Sequence, residues 1–171
     1  MANTIKIKKR GLSKEEKIDP LWATIKFPIF ILILYSIFTN LLPSHFSRQN
    51  SLVIGLISFL ITIFAFGYIG YISIKKLKDS KFALKAGFYA GAISGFLLAV
   101  FGLGLVYFFP ERFSYTLSEI GSKLRDLGLS TDLAYTLLII SSWINLLLGT
   151  LFNALIGALI SWISALIFRK K

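Results

Sequence analysis

The sequence predicts an all-α fold: an integral membrane four-helix bundle with an additional extracytoplasmic amphipathic helix. Three observations predict it. Of 171 residues, 56% are hydrophobic, and a mean hydropathy of +0.74 exceeds what a water-facing surface carries. Four apolar runs are each long enough to cross roughly 30 Å of hydrocarbon at about 1.5 Å per residue. The basic residues gather beside these runs, not within their middles.

The opening stretch, "MANTIKIKKRGLSKEEKIDP", is polar and basic. It lacks the apolar stretch and small-residue cleavage site of a removable leader, so residues 1–21 are expected to form a cytoplasmic basic arm. Residues 22–42, "WATIKFPIFILILYSIFTNLL", are the first span. Trp22 anchors it at the interface, Lys26 snorkels to the headgroups, and Pro28 lies early enough to be tolerated as a kink. Pro43 and the polar cluster after it form a turn, with His45 an interfacial residue and Ser51 a plausible N-cap. The second span covers about 52–74 and ends at the basic loop "KKLKDSK". The third covers about 82–109, with Lys85 near its start and Pro110 closing it.

Beyond Pro110 the periodicity changes. Phe113, Leu117, Ile120, Leu124 and Leu127 are spaced four, three, four and three, which predicts an amphipathic helix over about 111–128. Pro110 suits its N1 position, Glu111 its N-terminal dipole, Glu119 and Lys123 an i,i+4 pair, and Gly128 its stop. Its charged face suggests that it lies flat in the membrane interface, with a coiled-coil seam against a partner as the alternative. Ser130 and Thr131 are then positioned to cap a new helix. From Leu133 to Phe168 no charge occurs, and as one helix these residues would span roughly 54 Å. Ser141 and Ser142 form a polar dent, so the fourth span is expected over about 143–168, with residues 133–140 protruding, bending or lying at the interface. The whole chain reads as one membrane domain.

Four spans place both termini on one side. That side holds fifteen Lys or Arg residues; the other holds Arg48, Arg112, Lys123 and Arg125. With the acids counted, one face carries +11 and the other 0. The positive-inside rule makes the termini cytoplasmic in a plasma (inner) membrane. Lys26, Lys75, Lys76, Lys78, Lys85, Arg169 and Lys170 are then expected to meet lipid headgroups, anionic lipids above all. Topology accounts for the positive charge, so no nucleic-acid partner is expected.

In "GFYAGAISG" a glycine recurs every fourth residue, bringing Gly87, Gly91 and Gly95 to one helix face. A second stripe, Gly149, Asn153, Gly157 and Ser161, recurs at the same interval in the fourth span. Helices in lipid gain little from apolar burial and associate through close backbones, dispersion and hydrogen bonds, so the two stripes are expected to face each other. Packing within the chain is the simpler reading; a homo-oligomer or a pore lined by the same stripe is the alternative. Asn153 should face protein or water, with Asn145, Ser94, Ser58 and Thr62 as candidate neighbours.

The missing residue types narrow the chemistry. The chain has no cysteine and one histidine, which leaves no expected metal site or thiol nucleophile. No Asp, Glu, Arg or His lies near the middle of a span, removing the usual carrier of proton coupling. The outer acids each fit a cap or a solvated face, so neither a catalytic residue nor a cofactor is assigned.

The segments "LKAGFYAGAISG", "YFFPERF", "LGLS" and "GALISWISALIFRKK" give residues 55–171 a further character. This region resembles a family of small four-span prokaryotic membrane proteins known as a domain of unknown function. The resemblance implies a four-helix architecture in a prokaryotic membrane and transfers no catalytic residue.

The expected role is non-enzymatic, through helix-helix assembly with itself or a membrane-protein partner, or through anionic lipid. The alternative is an oligomeric channel or small-solute transporter with Asn153, Ser161 and Ser94 on its path; an integral membrane enzyme is a third reading. A pocket of convergent polar groups would favour transport, and a dry bundle with an exposed glycine face would favour assembly. Single cysteines at Gly11, Asp79 and Lys171 should be shielded from an impermeant thiol reagent outside intact cells, whereas those at Ser44 and Ser118 should react. Outside labelling of Asp79→Cys would reverse this topology.

Overall fold

The computed structural model describes residues 14–42 and 49–169, with side chains from residue 20 onward. Residues 1–13, 43–48, Lys170 and Lys171 lie outside the described residues, and with them the expectations for the basic arm, the Pro43 turn, Ser44, His45, Arg48 and the last two lysines.

Among the described residues five α-helices run in order: α1 (Lys14–Leu41), α2 (Ser51–Ile72), α3 (Ser80–Phe108), α4 (Ser114–Asp126) and α5 (Leu133–Arg169). All but α4 are long and apolar enough to cross a membrane. Their outward surfaces suit lipid, since Leu52, Leu147 and Phe152 are among many large apolar side chains left exposed. With no water to satisfy the backbone, helical hydrogen bonding is what makes such spans possible.

Helix α1 begins earlier than the expected span and continues through Pro20 and Pro28. Pro28 is fully buried and removes only the bond that the Thr24 carbonyl would accept. One turn earlier, Thr24 Oγ1 donates to the Pro20 carbonyl at 2.7 Å. Helix α2 also outlasts its expected end, passing into a π-helical turn over Ser73–Leu77 that carries Lys75 and Lys76. Lys78 closes it with a left-handed φ of 53°, and its N–H bonds the Ile74 carbonyl at 3.1 Å. Asp79 then caps α3 by accepting from the Lys81 N–H at 2.8 Å, so the connection is shorter than "KKLKDSK" implies.

The expected amphipathic segment divides in two. Pro110–Phe113 form a 3-10 turn with Pro110 at its start, and α4 follows. The end of α4 is a Schellman arrangement: Leu129 N–H bonds the Leu124 carbonyl at 2.8 Å and Gly128 N–H the Arg125 carbonyl at 2.9 Å. Gly128 takes the required positive φ of 72°, where a Cβ would be strained. Lys123 Nζ meets Glu119 Oε1 at 2.9 Å, and this hydrogen bond raises the Lys123 pKa above its ordinary value. The apolar stripe is not simply laid on lipid. Gly121 and Leu124 are buried while α4 packs on α5, and a Cβ on Gly121 would lie 3.8 Å from the Thr131 side chain. Leu127, 75% exposed, is the stripe residue left uncovered.

Helix α5 is continuous for 37 residues and begins at Leu133, not at about 143. Ser141 and Ser142 do not interrupt it because both hydroxyls donate to the Leu138 carbonyl at 2.8 Å. Leu138 lines one cavity with Val106, so the helix is level with the last turns of α3 well before Trp143. Its first residues project further and receive α4.

Burial is concentrated at one end. Ile25 and Ile29 of α1, Phe66 and Ile69 of α2, and Ala86 and Ala90 of α3 form the core, with Ile160 of α5 packed against it. This is the end nearest the Lys78–Asp79 loop. Towards α4 the bundle loosens, and the buried residues of α2 start only at Ala65. Gly91→Ala is therefore expected to destabilise the protein by about 1–3 kcal/mol through overpacking. Gly102→Ala, on the same helix with nothing within 4 Å of its added carbon, should not; equal melting shifts in detergent would refute this difference.

Candidate functional site

The seam between α3 and α5 sets the geometry of the site. A Cβ on Gly87 would run into the Gly157 carbonyl oxygen, and into Ser161 Cβ at 2.7 Å. At Gly91 it would run into the Asn153 carbonyl and lie 2.8 Å from Ala154 Cα. Gly157 faces Gly87 in return and is closed on another side by the Phe66 ring, 2.7 Å from its added carbon. Gly95 is looser, 3.0 Å from Asn153 Cβ. Six of the seven small or polar packing positions named from sequence thus lie in this seam. Gly149 does not: its added carbon would meet its own helix at Asn145 Oδ1, 2.6 Å away.

Helix α2 joins the seam through residues that sequence periodicity did not single out. A Cβ on Gly70 would collide with the Ser161 carbonyl and lie 2.7 Å from Ser164 Cβ. Ser161 Oγ donates to the Phe66 carbonyl at 2.9 Å, and Ser164 Oγ to the Gly67 carbonyl at 2.8 Å. The signal was present as the small pair Gly67 and Gly70, but a spacing of three in one helix specifies no partner.

Past Gly95 the helices separate and enclose a cavity of about 280 Å³. Ser142, Asn145 and Asn153 of α5 contribute its polar edge, joined by Asn40 from the end of α1. Leu98, Leu103 and Val106 of α3 contribute an apolar wall, and Phe113 and Leu138 close the α4 end. Neither the Asn145 nor the Asn153 carboxamide has a hydrogen-bond partner among the described residues. Nearby, Thr150 Oγ1 is buried with no hydrogen-bond partner among the described residues. Ser94 instead bonds the Gly91 carbonyl in its own helix at 3.3 Å. Ser58 donates to Tyr35 Oη at 3.1 Å, which places it in the α1–α2 contact, and Thr62 donates to the Ser58 carbonyl within its own helix, so neither proposed neighbour bonds Asn153.

The mouth has its own fastening. Arg112 Nη1 donates to the Asn40 carbonyl at 2.6 Å, placing a cation at the C-terminal end of α1, where the helix dipole favours it. Asn40 Nδ2 turns back to the Ser36 carbonyl at 2.8 Å. The sequence does not single out Asn40, and Arg112 counts there only among the four basic residues of the other side.

At the opposite end, Lys26, Lys75, Lys76, Lys78, Lys85 and Arg169 are all exposed. The Tyr71 and Phe168 rings meet at 5.1 Å, and Lys75 Nζ lies 3.1 Å from Tyr71 Oη. This brings Lys75 and Arg169 to one rim. Among the described residues, no group of His, Cys, Asp and Glu is placed to hold a metal ion.

Comparison with known proteins finds no matching family model, no similar curated protein and no similar solved structure. The seam itself is open to test: Ser161→Ala and Ser164→Ala each remove a bond between helices, at about 0.6 kcal/mol in a membrane protein. Ser94→Ala removes only a bond within its helix and should change the melting temperature less; the reverse ranking would show that the two interhelical bonds do not hold α2.

Proposed function

We propose that this chain is a non-enzymatic multi-pass protein of the plasma (inner) membrane that acts by holding an uncharged polar group in the cleft between α3 and α5. The observation carrying this reading is the cleft itself, where Ser142, Asn145, Asn153 and Asn40 converge. The glycine faces, the other candidate, are already occupied within the chain. Carboxamides and hydroxyls bind by hydrogen bonds but do not exchange protons near neutral pH, which favours recognition over acid–base chemistry. A partner can be a membrane-borne group or a small solute. The charge asymmetry supports cytoplasmic termini, with the basic rim against anionic lipids and the cleft opening on the other side.

Assembly remains a second reading because of another surface. Leu148, Leu151, Phe152 and Leu155 surround Gly149 in a shallow apolar groove on the outside of α5. A second copy or another membrane protein could seat a helix there.

Cysteine scanning separates the two readings. Single cysteines at Ser142, Asn145 and Asn153 should react with a water-soluble maleimide from the α4 side far faster than one at Leu151. Equal, slow reaction at all four would remove the cleft reading, and oxidative crosslinking of Leu151→Cys between copies would favour assembly.

A further inference from the structure

The chemistry of the cleft walls limits what it can hold. No charged side chain lines it, and the cation at its mouth, Arg112, is directed to the Asn40 carbonyl; a charged group held deeper, beside Asn145 and Asn153, would be desolvated without a counter-charge, an expensive arrangement in a membrane interior. A carboxamide both donates and accepts, so it matches hydroxyls and carbonyl oxygens equally well. The polar edge is long and one-sided. Ser142 and Asn153 are roughly 16 Å apart along α5, opposite the apolar wall of Leu98, Leu103 and Val106. A fully polar solute would leave that wall unsatisfied, and a hydrocarbon would leave the carboxamides unpaired.

We infer that the cleft binds an uncharged glycerol-type unit, whose hydroxyls donate to Asn40 Oδ1 and Ser142 Oγ, whose hydroxyl or ester oxygens accept from the Asn145 amide, and whose carbon lies against α3. This rests on the cleft being the working site. Two sources share this chemistry: a free polyol entering from water, and the glycerol of an uncharged lipid entering from the bilayer. Asn153 and Gly95 form the floor for either. Below them the packed seam leaves no room, so the site is a dead-end recess and not a through-channel.

The test uses the full chain in phosphatidylcholine vesicles, with a single cysteine at Gly102, which lines the cleft and has open space at its added carbon, so that the polar edge stays intact. The controls are cysteines at Ser118 on α4 and at Leu151 on the outer face of α5. Diacylglycerol added to the membrane should slow maleimide reaction at position 102 several-fold and leave position 118 unchanged, which assigns the lipid source. If glycerol in the aqueous phase slows it and diacylglycerol does not, the free polyol is the source. Carrying Asn145→Leu on the same chain should weaken whichever protection is seen, while the reaction without additive confirms that the cleft is still open. Fast reaction at 102 that neither additive slows would overturn the glycerol assignment and leave the cleft standing. Reaction at 102 as slow as at 151 would overturn the cleft reading, and this inference with it.

Discussion

The approach of two backbones, α3 and α5, determines most of this structure. In lipid, association gains little from removing apolar surface from water, so contact depends on how closely the main chains can come. Gly87, Gly91 and Gly157 permit that approach, because at each a single added carbon would strike the facing helix. Phe66 then fits over Gly157, and the hydroxyls of Ser161 and Ser164 fasten α2 to α5. Helix α1 completes the core with branched side chains, Ile25 and Ile29. The bundle is thus assembled outward from its least bulky residues.

The same constraint explains where the cleft is. Close packing lasts only while small residues face one another on both helices. It weakens at Gly95 and is lost by Gly102, where the same residue type on the same helix touches nothing. Leu98 and Leu103 on one side and Asn145 on the other are too large for backbone contact. The helices separate, and the cavity occupies the space between them. A glycine stripe therefore closes one end of this bundle and, by stopping, opens the other.

The seam was legible in the sequence because lipid leaves few other reasons for a small residue every fourth position. Gly149 follows the same interval and yet lies beside its own Asn145, since periodicity identifies a face without showing how far along it the partner stays close. The contribution of Gly70 was hidden by its short local spacing. Length arithmetic leaves open what residues 133–140 do: a helix too long for the hydrocarbon stays continuous when its excess has another element to pack on. The serines that resembled a break bond back to Leu138, a local arrangement that composition cannot reveal. Cleft residues were the least legible, because Asn40 and Ser142 acquire meaning only when α1 and α5 are brought together.

Helix α4 is what relates the open end to the rest of the chain. An amphipathic helix of this length is marginal by itself and needs a surface for its apolar stripe. The projecting start of α5 packs against it, and Leu124 on the one helix and Ala134 and Leu138 on the other are buried. The preceding 3-10 turn extends the connection in the other direction: Arg112 holds the end of α1, and Phe113, next in sequence, lines the cleft mouth. The mouth is consequently bounded by parts of four elements, joined by one charge-assisted hydrogen bond and one apolar face. A charge-assisted bond is among the stronger single contacts a protein makes, yet this one is exposed and within reach of water. The closed end, by contrast, is fixed by backbone contacts that no small motion can relax.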